Sequence, residues 1–84
     1  MDNDKSKSIK PDFSLDMRGY FCPEPVFRTR QKILEMKDGD ILEVLADDPV
    51  AEEDIKSWVK KTGHDLIFFN KTEKSLKFFI CKIK

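Results

Sequence analysis

The sequence predicts an α/β (α+β) two-layer sandwich in which two helices cover one face of a mixed four-stranded sheet. Apolar residues alternate with polar ones or run together in four short segments, and they recur with helical spacing in two longer ones. The six segments follow one another in the order β-α-β-α-β-β. A strand, a helix and a second strand imply a right-handed parallel crossover, and a final hairpin then makes the sheet mixed. Two helices are expected to cover one face of this sheet and to leave the other uncovered.

A strand, a helix and a second strand are predicted in the first half of the chain. The segment FSLDM alternates as a half-buried strand does, and DILEVLAD is more continuously apolar, which favours a central strand. Between them, residues 23–37 have helical spacing, and Gly39 is expected to end this helix as its C′ residue. The buried face expected for the helix consists of Val26, Phe27, Ile33 and Leu34.

A helix and a hairpin are predicted in the second half. Asp48 and Pro49 form an N-cap and N1 pair, and Gly63 is expected to stop the helix. The segments HDLIFFN and SLKFFICKI predict two strands joined by the loop KTEK. The buried stripe expected for the helix consists of Ala51, Ile55, Trp58, Val59 and Thr62.

Size, charge and thiol content restrict the possible functions. The chain has 84 residues, of which 1–11 predict a flexible N-terminal tail and 12–84 a single domain too small for a deep cofactor pocket. Sixteen basic residues balance sixteen acidic ones, so net charge gives no support for direct nucleic-acid binding. The sequence has no secretory signal and no membrane-spanning run, and its two cysteines are expected as reduced thiols in the cytoplasm. With one histidine and no CxxC pair, neither a metal nor another cofactor is expected.

A cysteine stands at the predicted junction of the first strand and the first helix, in the segment RGYFCPEPVFR. With Cys22 at the N-cap, Pro23 and Pro25 occupy N1 and N3, where a missing amide costs no helical hydrogen bond. The first-turn amides of Glu24 and Val26 can then point at the sulfur. Because the positive end of a helix favours a thiolate, we expect the pKa of Cys22 to lie below that of a free cysteine.

Charged neighbours act on this thiol in both directions. Arg18, Arg28 and Arg30 add positive potential, whereas Glu24 opposes it, so we expect only a moderate lowering of the Cys22 pKa. A nucleophilic thiol is one interpretation of the pattern. A small buried apolar cysteine without chemistry is the other, and the residues alone leave both open.

The segment LDMRGYFCPEPV resembles the signature of the TusA/SirA/YedF family of sulfur-carrier proteins, with its Cys-Pro-x-Pro motif. The resemblance continues through GDILEVLADDP and DIKSWVKKTGHDL and covers nearly the whole chain from Phe13. It implies the two-layer sandwich and a persulfide on Cys22, which a cysteine desulfurase or rhodanese-type donor loads and an acceptor protein receives. Family members serve tRNA thiolation, cofactor assembly or sulfur metabolism. The implied activity is that of a sulfurtransferase acting as a carrier, not of a hydrolase or a metalloenzyme.

The resemblance also supplies supporting residues around the thiol. Asp16 and Arg18 either orient the thiol loop and attract a partner, or serve as a cap for loop amides and a solvated cation. Gly19 is expected as a backbone requirement of the turn. His64 is a tempting base, but nothing in the sequence brings it to Cys22. The complete supporting set is Asp16, Arg18, Gly19, Pro23, Glu24 and Pro25.

Two other functions stay open. A non-catalytic RNA- or protein-binding module on the same fold is the alternative, because the last hairpin is rich in lysine and aromatic residues. A redox switch that pairs Cys22 with Cys81 is the second. A last strand antiparallel to the first two, as the resemblance implies, argues against this switch, because it puts Cys81 at the opposite end of the sheet.

The uncovered sheet face is a candidate surface for weak self-association. Neighbouring strand residues point to opposite faces, so each pair of adjacent phenylalanines is expected to send one ring to each face. The rings on the uncovered face are expected to lie with Ile67, Cys81 and Ile83. The two pairs are Phe68 with Phe69 and Phe78 with Phe79.

Overall fold

Four strands and two helices follow one another in the predicted order in the computed structural model, which describes residues 9–21 and 23–83. Most of the predicted tail, residues 1–8, lies outside the described residues, as do Cys22 and Lys84. The strands are β1 (Phe13–Met17), β2 (Ile41–Ala46), β3 (Asp65–Lys71) and β4 (Leu76–Cys81). The helices are α1 (Glu24–Glu35) and α2 (Pro49–Thr62).

The four strands form one mixed sheet in the order β1-β2-β4-β3. β1 pairs with β2 in parallel, and β4 is antiparallel to both of its neighbours. The predicted central position of β2 is therefore confirmed. Met17 pairs with Ala46 where β1 and β2 end, and Cys81 pairs with Ile41 where β2 begins. We call the first of these edges of the sheet the loop end, because the loops that lead into both helices start there.

The core lies between the sheet and the two helices. Alternate residues of β2 point into it, and Ile33 of α1 and Ile55 of α2 pack in the same buried cluster. Phe78 of β4 is fully buried there, with the ring of Phe69 at 5.1 Å between centroids. The helices therefore share one face of the sheet, which confirms the predicted two-layer arrangement.

Helix α1 differs from its predicted bounds at both ends. Pro23, not Cys22, is the N-cap, and the helix ends at Glu35 with Met36 as C-cap. The main chain must leave the helix early because the next turn is tied to the end of β4: the amide of Gly39 donates to the carbonyl of Lys82 at 2.6 Å. Because the C-cap is Met36, Gly39 lies beyond the C′ position, so its predicted role as the C′ residue is wrong, although it has a φ of 90° in the turn that follows.

The buried face of α1 also differs from the prediction. Phe27 and Leu34 are 49% and 70% exposed. They lie seven residues, about two turns, apart and therefore share the outer side of the helix. The residues that face the core instead recur at intervals of three or four residues up to the C-cap: Pro25, Thr29, Ile33 and Met36. This buried face was not recognised in the sequence, because Thr29 carries a hydroxyl and was not counted as an apolar residue.

The hydroxyl of Thr29 is fully buried and has no hydrogen-bond partner among residues 9–21 and 23–83. Valine has nearly the same shape without the polar atom, so we expect Thr29→Val to raise the free energy of unfolding by about 1 kcal/mol. Urea or thermal unfolding followed by circular dichroism measures this change. Thr62→Val is the matched control, because the hydroxyl of Thr62 is exposed and donates to the carbonyl of Trp58 at 2.9 Å. A loss of stability in Thr29→Val would show that the hydroxyl is satisfied in solution.

Helix α2 begins and ends as predicted. The carboxylate of Asp48 caps it by accepting from the amide of Val50 at 3.1 Å, and Gly63 ends it in the left-handed region with a φ of 85°. The expected stripe is confirmed at its three fully buried positions, and Trp58 is half-buried beside them. Thr62 is exposed, so its predicted burial is wrong. The buried positions are Ala51, Ile55 and Val59.

The paired phenylalanines divide between the two faces of the sheet, as predicted. A bulge between Leu66 and Phe68 sets the register, and it stacks Phe68 on Phe79 with 5.6 Å between ring centroids. Phe79 is nevertheless buried, so the aromatic surface of the uncovered face is smaller than expected. Glu43 and Lys77, with 3.9 Å between their charged atoms, add an ion pair to this face. Self-association through it stays a prediction.

Candidate functional site

The loop that leaves β1 is held at the loop end by backbone hydrogen bonds. Gly19 has a φ of 90°, a conformation that side chains disfavour, and its amide donates to the carboxylate of Asp47 at 2.9 Å. The amide of Tyr20 donates to the carbonyl of Met17 at 3.2 Å. The loop before α1 is therefore fixed to the loop before α2. This role of Asp47 was not predicted. The signal for it in the sequence is a polar residue directly after a strand that runs parallel to β1.

Asp16 and Arg18 hold each other at the start of the same loop. The guanidinium of Arg18 donates to both carboxylate oxygens of Asp16, at 2.9 and 2.7 Å, and the Arg18 amide donates to it at 3.1 Å. The hydrogen bonds from Arg18 lower the pKa of Asp16 to about 2. Asp16 thus caps a loop amide, as one interpretation predicted, but Arg18 is bound to Asp16 and not simply solvated. The pair fixes the turn and neutralises its charge.

The first turn of α1 contradicts one prediction about the thiol environment. The amide of Glu24 donates to the carbonyl of Phe21 at 2.9 Å, so it is not a free donor. In the same turn, the amide of Phe27 donates to the carbonyl of Pro23 at 3.0 Å. Because Pro23 is the N-cap, the chain makes a tight turn there before the helix starts. Cys22 itself lies outside the described residues.

The arginines near the start of α1 are not equivalent. Arg28 donates to Glu24 at 3.0 Å and lies over the ring of Tyr20, 5.0 Å from its centroid. The charge of Arg28 is therefore offset, like that of Arg18. Arg30 is exposed and has no ion pair or hydrogen-bonding side-chain partner in the described ranges 9–21 and 23–83. Of the three predicted sources of positive potential, Arg30 is the one left uncompensated.

An apolar groove opens beside the first turn of α1, between α1 and α2. Its volume is about 340 Å³. A second, shallower depression continues it along α2 and shares Pro23, Val26 and Trp58 with it. Trp58 was predicted only as a core residue, because the sequence does not show where two helices leave a gap between them. The groove is lined by Pro23, Glu24, Val26, Phe27, Arg30 and Trp58.

His64 and Cys81 lie at the edge of the sheet opposite the loop end. Nδ1 of His64 accepts from the amide of Ile83 at 3.2 Å, and burial lowers the pKa of the ring. Cys81 is half-buried at the end of β4, beside the start of β2, and burial, followed by the charge of Asp65, raises the pKa of its thiol. Both therefore lie far from the loop before α1. That Cys22 and Cys81 form no intramolecular disulfide stays a prediction, because Cys22 lies outside the described residues.

No metal-binding cluster and no membrane-spanning helix occur in the part of the chain that the structure describes. No three acidic, histidine or cysteine side chains in residues 9–21 and 23–83 come together as a metal site. Neither helix in these ranges is long and apolar enough to cross a membrane.

A search against known families decides the relationship of the chain. The profile of the family described as sulfurtransferase TusA matches residues 13–82. The chain belongs to the TusA family. The match includes the Cys-Pro-x-Pro segment and every strand and helix of the fold, so the resemblance noted in the sequence is confirmed.

Individual TusA-family relatives cover nearly the same region. A candidate sulfur carrier protein of Archaeoglobus fulgidus is 49% identical over 69 residues, which are 82% of this chain and 90% of that protein. The sulfur carrier protein TusA of Pseudomonas syringae is 34% identical, and the match covers 90% of each chain. The crystal structure of a SirA-like protein from Desulfitobacterium hafniense superposes with a TM-score of 0.74 at 20% identity, covering 86% of this chain and 99% of that one. This last likeness shows the shared fold.

Proposed function

We propose that this TusA-family protein is a sulfur carrier that accepts a sulfane sulfur as a persulfide on Cys22 and passes it to an acceptor protein. The position of Cys22 carries the proposal: it stands in the Cys-Pro-x-Pro motif, between a loop fixed by the Gly19–Asp47 hydrogen bond and the start of α1. The names of the relatives support a carrier role. Pro23, Glu24 and Pro25 set the start of the helix.

The chemistry requires one accessible thiolate. In loading, the Cys22 thiolate attacks the outer sulfur of a donor persulfide, the sulfur–sulfur bond of the donor breaks, and the donor thiolate leaves. In unloading, an acceptor thiolate attacks the outer sulfur on Cys22, and Cys22 leaves as a thiolate. Each step exchanges one sulfur–sulfur bond for another, so no net oxidant, reductant or metal is consumed.

The donor is a cysteine desulfurase or a rhodanese-type protein, and the acceptor is a protein thiol of tRNA thiolation, cofactor assembly or sulfur metabolism. A cytoplasmic location suits this chemistry, because thiols stay reduced there. The rival function, a non-catalytic RNA- or protein-binding module, requires no reactive cysteine. The reactivity of Cys22 therefore separates the two functions.

Iodoacetamide should alkylate Cys22 faster than a model peptide thiol at neutral pH. The start of α1 and the uncompensated Arg30 favour its thiolate, whereas burial raises the pKa of the Cys81 thiol and should slow Cys81. Alkylation rates of the wild type against pH, followed by peptide mapping, give both values. The variant Cys22→Ser isolates the rate of Cys81. If Cys22 reacts no faster than the peptide, the binding module becomes the better account.

A further inference from the structure

The groove between α1 and α2 is open at the surface, and its walls are apolar along most of their length. Val26, Phe27 and Trp58 line it, and Phe27 is half exposed although it is aromatic. Pro23, the residue bonded to Cys22, lines both the groove and the depression that continues it. A chain segment lying in the groove would thus contact the residue next to the reactive position.

The charged side chains are distributed unevenly along the groove. Glu24, which lines it near the loop end, is neutralised by Arg28 at 3.0 Å. Arg30 lines it further along α1 and has no ion pair or hydrogen-bonding side-chain partner within residues 9–21 and 23–83. The depression that continues the groove along α2 is lined by both Lys61 and Asp54, so charges of opposite sign lie there. The uncompensated charge beside the apolar groove is therefore that of Arg30, and it suits an acidic group that arrives on an apolar segment.

We propose that this groove docks a segment of the sulfur-exchanging partner protein in which an apolar side chain follows the reactive cysteine and an acidic residue lies about 10 Å further on. The spacing is that between Pro23 and Arg30, seven residues at a rise of about 1.5 Å each. In an extended segment it corresponds to about three residues. The inference rests on the proposed function, and it adds which chemistry the partner presents.

Activated peptides test the groove directly. The probe is acetyl-Cys-Leu-Ala-Ala-Glu-amide carrying a 2-thiopyridyl disulfide on its cysteine. The Cys22 thiolate attacks the peptide sulfur, a mixed disulfide forms, and 2-thiopyridone leaves and is followed by its absorbance. Two matched peptides carry Lys in place of Glu, or Ser in place of Leu. Each rate is divided by the rate with 2,2′-dithiodipyridine, which reports the thiol without any docking.

We expect the Glu peptide to react about five-fold faster than the Lys peptide, which is the effect of a solvent-accessible ion pair near the upper end of its range. The Ser peptide should also be slower than the Leu peptide, because it loses apolar burial. Arg30→Glu should reverse the Glu-over-Lys preference. Lys37→Glu is the matched control, since Lys37 is exposed beyond the far end of α1 and lines no part of the groove. It makes the same change in net charge and should keep the wild-type preference.

A second measurement does not depend on thiol chemistry. Trp58 is the single tryptophan of the chain and lines the groove, so its fluorescence reports occupancy. In Cys22→Ser, titration with the Leu-and-Glu peptide should shift the Trp58 emission, and Arg30→Glu should weaken that binding.

The outcomes separate this inference from the proposed function. Equal normalised rates for the Glu and Lys peptides, or a preference that survives Arg30→Glu, overturn the docking groove even when Cys22 is fast. A slow reaction of Cys22 with 2,2′-dithiodipyridine counts against the carrier function. The ratio of the Glu-peptide rate to the Lys-peptide rate can still be measured in that case, and it tests the docking groove separately.

Discussion

Phe78→Ala is expected to destabilise the protein strongly and to lower its midpoint of urea unfolding. Phe78 is fully buried on β4, between β2 and β3, and its ring packs on Phe69 in the core beneath the helices. Truncating such a ring costs about 3–5 kcal/mol, from lost burial and the cavity left behind. A domain of this size has a total stability of about 4–10 kcal/mol, so the loss takes most of it at the lower end of that range.

Phe68→Ala is the matched control, with the same chemical change on the other face of the sheet. Phe68 is half-buried on the edge strand β3 and contacts Phe79 outside the helix-covered core. Its loss should cost clearly less. Urea unfolding followed by far-ultraviolet circular dichroism compares the two variants. Near-ultraviolet circular dichroism is the second probe, because residues 1–11 contain no aromatic side chain and do not contribute to it. Equal losses would contradict the placement of the core on the helix side of β4.

Cys22→Ser should abolish sulfur loading. A serine oxygen cannot take the place of a thiolate in forming a persulfide, so no residual path through this position exists. Incubation with a cysteine desulfurase and cysteine, followed by intact mass measurement, should show one added sulfur on the wild type and none on Cys22→Ser.

Cys81→Ala is the control for the second thiol. Cys81 lies at the end of β4, and burial and nearby acids raise the pKa of its thiol, so loading of this variant should equal that of the wild type. Loading that persists in Cys22→Ser would mean that another residue carries the sulfur, and the proposed role of the Cys-Pro-x-Pro motif would be lost.

Much of the fold could be predicted because its signals are local. The alternation in β1, the cap formed by Asp48 and the left-handed Gly63 each act within a few residues, and the structure confirms all three. The order of elements then restricts the topology, since a strand-helix-strand crossover between β1 and β2 makes them parallel.

The errors arose where packing between distant segments decides the outcome. Phe27 and Leu34 are apolar and helically spaced, yet they face outward, because Thr29 and Ile33 fix the side of α1 that meets the sheet. The end of α1 is set by a hydrogen bond from Gly39 to the end of β4. No pattern within the helix itself contains that contact.

The candidate site also has a part that could be predicted from local sequence and a part that depends on contacts between distant segments. The motif around Cys22 could be found from the sequence, because it is a contiguous run of residues with a chemical meaning. The bond from Gly19 to Asp47 joins loops 28 residues apart, and the groove depends on how Trp58 of α2 meets Val26 of α1. The spacing of Glu24 and Arg28 was visible in the sequence, but its consequence, an Arg30 left as the uncompensated cation, required the contacts.

The location of the transferred sulfur tests the central claim most directly. The wild-type protein is loaded by a cysteine desulfurase with isotopically labelled cysteine, its persulfides are trapped by alkylation, and the peptides are fragmented in a mass spectrometer. The labelled sulfur should lie on the peptide that contains Cys22, bonded to the sulfur of that residue. Label on the Cys81 peptide, or its absence from the Cys22 peptide of a protein that has gained sulfur, would contradict the account.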